Sequence, residues 1–231
     1  MLKSTESLNE AKSWAEEILG SKNSAKYFMA QENFVVAYQD FESFSFVLTE
    51  EPFYGQVYGP TDFLDPRLSE VAVANDQGVD LPGFIRGVKF QMWEAQTSLR
   101  ENSLVLLDDT QDIDEINAML DEHASGSSVR PGEKEVVFWA GLRNPEGVLM
   151  ACAVVVQWNS GFHVLSSVVT RIEYRGRGLA TQLCSEILSE AFSRGISTLG
   201  LGVRADNFAA QRAYTKAGFQ KFAEFTSYSR E

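Results

Sequence analysis

Residues Val168-Val169-Thr170-Arg171-Ile172-Glu173-Tyr174-Arg175-Gly176-Arg177-Gly178-Leu179-Ala180-Thr181 carry an apolar β-type run into an Arg-Gly-x-Gly-x-Ala turn. A helix-like pattern follows at once. Gly176 and Gly178 let the backbone approach a ligand that a side chain would block. The N–H groups of residues 176–181 then become the free donors of a helix's first turn, where the dipole adds roughly half a positive charge. Such a point binds phosphate, and a pyrophosphate fits it. By itself Gly-x-Gly also serves tight strand-to-helix turns that hold nothing. Two other phosphate motifs do not match. Gly-x-x-x-x-Gly-Lys-[Ser/Thr] is absent, and Thr181 stands where a Gly-x-Gly-x-x-Gly fingerprint needs its third glycine.

A second cluster, Asn207, Ala210, Tyr214, Gly218 and Phe219, lies about 30 residues further on. Each member also has an ordinary structural role open to it. Asn207 is a good helix N-cap, Tyr214 shares a helical face with Ala210 and suits a core, and Gly218 suits a helix C-cap. Arg175 and Arg177 suit a solvated surface.

The elements that must position these residues are legible in the hydrophobic pattern. Leu104–Leu107 reads as a strand and 112–120 as a helix with acid at its start. Strands follow at 136–141 and 148–157, joined by the turn Asn144-Pro145-Glu146-Gly147, and then at 163–170. The glycine turn leads into a helix of about 178–193. A strand at 199–203, a helix at 208–217 and a last strand at 219–228 complete the pattern. Upstream, 6–20 reads as an amphipathic helix, 33–38 and 43–48 as strands, 52–88 as loop with short elements, and 89–100 as a further helix. No internal repeat shows in the sequence.

With 231 residues, 44% of them hydrophobic, the chain can bury a substantial core. A net charge of −12 argues against a nucleic-acid partner. That charge is uneven. Residues 1–100 hold 8 Lys and Arg against 15 Asp and Glu, whereas 171–221 hold 8 against 4. A basic stretch around a glycine turn suits a small phosphorylated ligand. Cys152 and Cys184 make no disulfide framework, and with His123 and His163 they give no metal-site spacing, so no metal is expected. No run is long enough for a membrane span, and the first residues lack the apolar core of a secretory signal, so the expected location is cytoplasmic.

Residues 163–219 resemble the GCN5-related N-acetyltransferase (GNAT) superfamily. Its first signature is similar to Val169–Ala180, with Ile172 where the family usually has proline. Its second is similar to Asn207–Phe219, and a helix and a strand separate the two as they do in the family. The resemblance implies an α/β (α+β) fold, a mixed, mainly antiparallel twisted sheet flanked by helices. Its catalytic domain would span 101–231, beside an N-terminal α+β lobe at 1–100. It further implies acetyl-coenzyme A as co-substrate. The pantetheine arm would pair like an added strand with the backbone of Val168, Val169 and Thr170. Residues Arg175, Gly176, Arg177, Gly178, Leu179, Ala180 and Thr181 would hold the pyrophosphate. Asn207 and Ala210 would lie along the pantetheine arm, Lys216 would reach a phosphate, and Tyr214 would act as general acid at the sulfur.

The reaction so implied is direct acyl transfer to an amine, which must be neutral to attack. An amine of pKa ~10.4 is only about 0.1% neutral near pH 7.4. A base or a desolvated site is therefore required. The strand His163–Thr170 offers no carboxylate. His163 is the candidate base, and Ser166 or Ser167 ordering a water is the alternative. Nothing links either cysteine to a base, so a covalent route is not expected.

Residues 1–100 carry none of these motifs. A degenerate second acetyltransferase-like lobe and an unrelated α+β extension both fit them. Their acidity favours a cationic acceptor. The expected acceptor is a small amine or amino-acid-like metabolite, with the protein a monomer or homodimer. A non-catalytic acyl-CoA sensor and a protein lysine or N-terminal acetyltransferase stay open as alternatives.

Overall fold

Among the described residues, twelve strands hydrogen-bond into one mixed, mainly antiparallel sheet, and four α-helices flank it. The computed structural model describes residues 2–20, 23–49, 53–60, 63–76, 78–99, 103–108, 110–127 and 129–231. In chain order the elements are β1 (Lys3–Thr5), α1 (Leu8–Leu19), β2 (Phe34–Gln39), β3 (Phe44–Leu48), β4 (Tyr54–Tyr58), β5 (Glu70–Ala74) and β6 (Phe84–Gln96). Then come β7 (Val105–Leu107), α2 (Ile113–His123), β8 (Val136–Arg143), β9 (Leu149–Gln157), β10 (His163–Thr170), α3 (Leu179–Ser193), β11 (Thr198–Arg204), α4 (Phe208–Ala217) and β12 (Gln220–Arg230). Short 3-10 turns stand at Ala25–Tyr27 and Ile172–Tyr174.

Across the sheet the order is β1-β2-β3-β4-β5-β12-β6-β11-β10-β9-β8-β7. From each edge inward the pairing repeats. Three antiparallel pairs lead to a parallel one, β4 with β5 on one side and β10 with β11 on the other. The central strands are exchanged. β6 follows β5 in sequence but pairs with β11, while β12 follows α4 and pairs with β5. β6 and β12 then join each other. Strands from residues 3–96 and from residues 105–230 thus share one sheet.

The helices form where apolar residues recur at helical spacing. Leu183, Ile187, Leu188 and Ala191 of α3 bury against Ala153 and Val155 of β9 and Leu165 of β10. On the opposite face α2 buries Ile116, Met119 and Leu120 against Trp139, Cys152 and Val154. Ala11 and Ala15 of α1 pack on Phe44, Phe46 and Phe225, the last contributed by β12. Each half therefore completes its core with a strand from the other end of the chain.

The helix expected over 89–100 is not formed; residue 100 lies outside the described residues. Residues 84–96 are strand β6 instead, hydrogen-bonded on both sides. Trp93 and Ala95 face the α3 core, and Met92 faces the α1 core. The apolar run Phe90–Ala95 suits either period, and pairing with two distant strands decides it. Among its described residues the stretch 52–88 holds the short strands β4 and β5 and the start of β6 between loops, matching the expected loop with short elements. Gly59, Pro66, Pro82 and Gly83 lie in turns or bends between these strands.

Candidate functional site

The two parallel pairs differ. β4 and β5 stay paired at four positions, from Tyr54 opposite Glu70 to Val57 opposite Val73. β10 and β11 are longer strands, yet they pair only at Val164 with Gly200 and Leu165 with Leu201. Beyond Leu165 they part. A cleft of about 500 Å³ opens there, lined by Ser166, Ser167 and Val168 on one strand and Gly202 and Val203 on the other.

A bulge in β10 produces the parting. Ser166 is opposite Val154 and Val169 is opposite Cys152, so Ser167 and Val168 together face one residue of β9. Such an insertion bends a strand and re-aims its side chains. Ser167 holds φ +48°, a left-handed value rare for a residue other than glycine. Its hydroxyl donates to the Val129 carbonyl at 3.0 Å. The loop after α2, which contributes Ala124, Gly126, Ser127 and Val129, forms another wall.

The glycine turn follows β10. Gly176 and Gly178 have φ +77° and +82°, and a Cβ on either would meet no neighbour. Their need for glycine is thus conformational, and the space in front of the turn is open. Gly178 stands at the N-terminus of α3 and no side chain caps it; Gln182 N–H donates to the Gly178 carbonyl at 3.0 Å. The first-turn N–H groups therefore face outward, as an anion site requires. The Arg175 guanidinium bonds the carbonyls of Thr170, at 3.0 Å, and His123, at 3.2 Å, tying the end of β10 to the end of α2. Arg177 donates to the Glu173 carbonyl and lies over the Tyr174 ring.

Tyr214 of α4 lines the cleft. It is 7% exposed and packs edge-on against Phe219, so it is core and wall at once. Burial, with a smaller contribution from Cys184, raises its pKa above the ordinary 10, so the phenol keeps its proton at neutral pH. An open strand pair with a protonated phenol in its wall, and a bare helix N-terminus after β10, suit a long ligand with an anionic end and a leaving group that needs a proton.

Comparison with known proteins gives the same reading. The family model for the acetyltransferase (GNAT) family matches residues 104–219, half of the chain. The chain belongs to the acetyltransferase (GNAT) family. A solved GCN5-related N-acetyltransferase from Sphaerobacter thermophilus is similar over all of this chain and 95% of its own, with 14% identity and a TM-score of 0.62. One from Kribbella flavida is similar over 96% of this chain and 95% of its own, at 14% identity and a TM-score of 0.56. A structure described as an acetyltransferase of the GNAT family, from Novosphingobium aromaticivorans, covers 70% of this chain and 74% of its own at 24% identity, with a TM-score of 0.53. At these identities the likeness is one of fold. No curated relative matches the chain in sequence. Family membership supports acyl transfer from acyl-coenzyme A as the general reaction.

The sequence-derived site residues fall into three groups. Val168, Asn207 and Tyr214 line the cleft, with Ala210 beside them, its N–H bonded to the Asn207 side chain at 3.1 Å. Asn207 is therefore both helix cap and cleft wall. Val169 and Thr170 continue β10 opposite Cys152 and Ala151, and Arg175 to Thr181 form the exposed turn and the start of α3. Lys216 and His163 stand apart. Lys216 borders a separate hollow with Trp93 and Arg212. His163 begins β10 opposite Gln157 and is not among the cleft's lining residues, and burial lowers its pKa. Burial also pushes both Cys152 and Cys184 up to about 12, which keeps them as thiols. Residues that sequence reading missed include Gly202 and Val203 of β11 and Gly126, Ser127 and Val129 of the third wall, although the Gly- and Ser-rich stretch after α2 was a visible signal. Trp158 was missed too; it follows β9 and reaches the cleft. Among the described residues no helix is long and apolar enough to cross a membrane.

Proposed function

We propose that this protein is an N-acetyltransferase that moves an acetyl group from acetyl-coenzyme A to the amine of a small metabolite or amino-acid-like acceptor by direct attack. The observation that carries this reading is the parting of β10 and β11 after Leu165 and Leu201 with Tyr214 in the wall of the gap. The unpaired edge of β10 suits a pantetheine arm, which offers amides at strand-like spacing. The α3 N-terminus at Gly176–Thr181 suits the pyrophosphate.

Bound there, acetyl-coenzyme A supplies an activated acyl carbon and a thiolate leaving group. The protein's own groups do the rest. Tyr214 keeps a proton and donates it to the departing sulfur. Val168, at the bulge, offers backbone to the acyl oxygen. Among the described residues that line the cleft there is no Asp, Glu or His. We therefore assign the amine's proton to a water held by Ser166, and not to His163. Residues 1–100 act as a lobe that walls the acceptor side, with 101–231 supplying the acyl-coenzyme A site. The fully paired β4 and β5 leave that first lobe no equivalent opening.

The same absence of a base in the cleft favours one other reading, a non-catalytic acyl-coenzyme A sensor. Calorimetric titration with acetyl-coenzyme A, beside an amine screen read by thiol release, tests both. Micromolar binding with turnover that falls in Tyr214→Phe supports the enzyme. Binding without turnover in either form supports the sensor. No binding up to millimolar removes both.

A further inference from the structure

We propose that the pocket between Phe28, Tyr54 and Trp158, with Glu135 at its rim, binds the acceptor through a cationic group additional to the amine that reacts. This rests on the acyl-transfer reading above and names its substrate class: a small aliphatic molecule with a fixed cation at one end and a primary amine at the other.

The pocket has a volume of about 360 Å³, enough for a small metabolite. Trp158 lines both this pocket and the cleft, so one side chain separates them. A molecule lying across Trp158 can anchor one end in the pocket and present the other to the cleft. The walls come from both halves of the chain, Phe28 and Tyr54 from the first and Trp158 and Glu135 from the second.

The aromatic walls are held in place. Phe28 and Trp158 lie 5.1 Å apart, ring centre to ring centre. The Ser160 hydroxyl donates to the Tyr27 carbonyl, and the Tyr27 ring stacks on Phe162 at 4.0 Å. These contacts lock the turn carrying Phe28 to the loop carrying Trp158. Asn33 also borders the pocket, but its amide is spent locally. Its oxygen accepts from Ala30 N–H at 3.0 Å and its nitrogen donates to the Phe28 carbonyl. It fixes a wall, and the rings, the carboxylate and the Asn159 amide complete the lining.

The charge of the site selects a cation. Among the described residues Glu135 is the one charged residue lining the pocket, and no described lysine or arginine lines it. The Lys134 amine lies 3.8 Å from the Glu135 carboxylate, on a side chain 88% exposed to solvent, so solvent screens that pair. Ring faces attract an organic cation, and a carboxylate at the rim adds to the pull. A lone ammonium held at Glu135 would stay protonated and could not attack. The reacting amine must therefore be a second group.

The test uses agmatine, which has a guanidinium and an amine on a short chain, against pentylamine, which lacks the guanidinium. Both are titrated into the intact protein saturated with coenzyme A, and coenzyme A binding is measured separately. The expected result is agmatine binding at least tenfold tighter than pentylamine. Glu135→Gln should erase that preference, and Trp158→Leu should weaken both amines several-fold. Agmatine binding no tighter than pentylamine, or a preference that survives in Glu135→Gln, overturns the proposal. Failure to bind coenzyme A overturns the acyl-transfer reading instead, and the two amine titrations, repeated without it, still decide the pocket.

Discussion

The Ser167 hydroxyl donates to the Val129 carbonyl at 3.0 Å, fastening the bulge of β10 to the loop that follows α2. One bond thus joins two walls of the cleft at a residue with left-handed backbone, φ +48°. Left-handed backbone costs a β-branched residue most, on the order of 1–3 kcal/mol. Ser167→Val should therefore lower stability by about that amount and weaken coenzyme A binding. Ser167→Gly, which tolerates the angle, should bind more tightly than the valine variant. Paired denaturation and calorimetry check the order; a valine variant as stable and tight-binding as the parent would remove the bulge from the account.

Gly178 tests the turn. A side chain there meets no neighbour, but φ +82° disfavours it. Gly178→Val should force the start of α3 to re-form and weaken coenzyme A binding by about tenfold or more, with the thermal midpoint falling only a few degrees. Desulfo-coenzyme A, which keeps the pyrophosphate, should lose as much as coenzyme A. Unchanged affinity would make the turn purely structural.

Gly200 is constrained by packing. A Cβ there would lie 2.5 Å from the Phe162 ring, which in turn stacks on Tyr27. Gly200→Ala should cost about 1–3 kcal/mol, as overpacking of a filled core does. Combining it with Phe162→Leu should recover part of the loss, a coupling that a double-mutant cycle in urea would measure.

Asp65 governs part of the acid response. Its carboxylate accepts from the Arg67 guanidinium at 2.8 and 2.6 Å and from the Tyr38 hydroxyl at 2.6 Å. The Arg67 bonds chiefly, against the opposing effect of burial, hold its pKa well below the ordinary carboxylate value. A depressed folded-state pKa gives stability that is complete above the unfolded value near ~3.9 and is lost as pH falls toward the folded one. Asp65→Asn should thus be less stable at pH 7, by on the order of 1–3 kcal/mol. It should also show a flatter decline in stability between about pH 5 and pH 2. Equal acid slopes in the two proteins would assign the acid response to other carboxylates.

Local sequence by itself determined the parts of the site that one segment can build. Gly176 and Gly178 announce a turn because only glycine adopts their angles freely, and the helical spacing of Leu183, Ile187, Leu188 and Ala191 announces α3. Asn207 and Gly218 mark the two ends of α4 and hence the place of Tyr214 on it. These signals are short-range, carried by torsions and by the period of a single element. What joins distant segments was decided by the tertiary structure. Phe90–Ala95 became strand because β11 and β12 hydrogen-bond to both its edges, and no local pattern encodes two remote partners. The opening beside Leu165 depends on a bulge set by register with β9 and on a bond to Val129, neither visible in β10 alone. The separation of His163 from the cleft follows from where that opening begins along the strand. The pocket at Trp158 exists only because packing brings Phe28 against a ring 130 residues away in sequence.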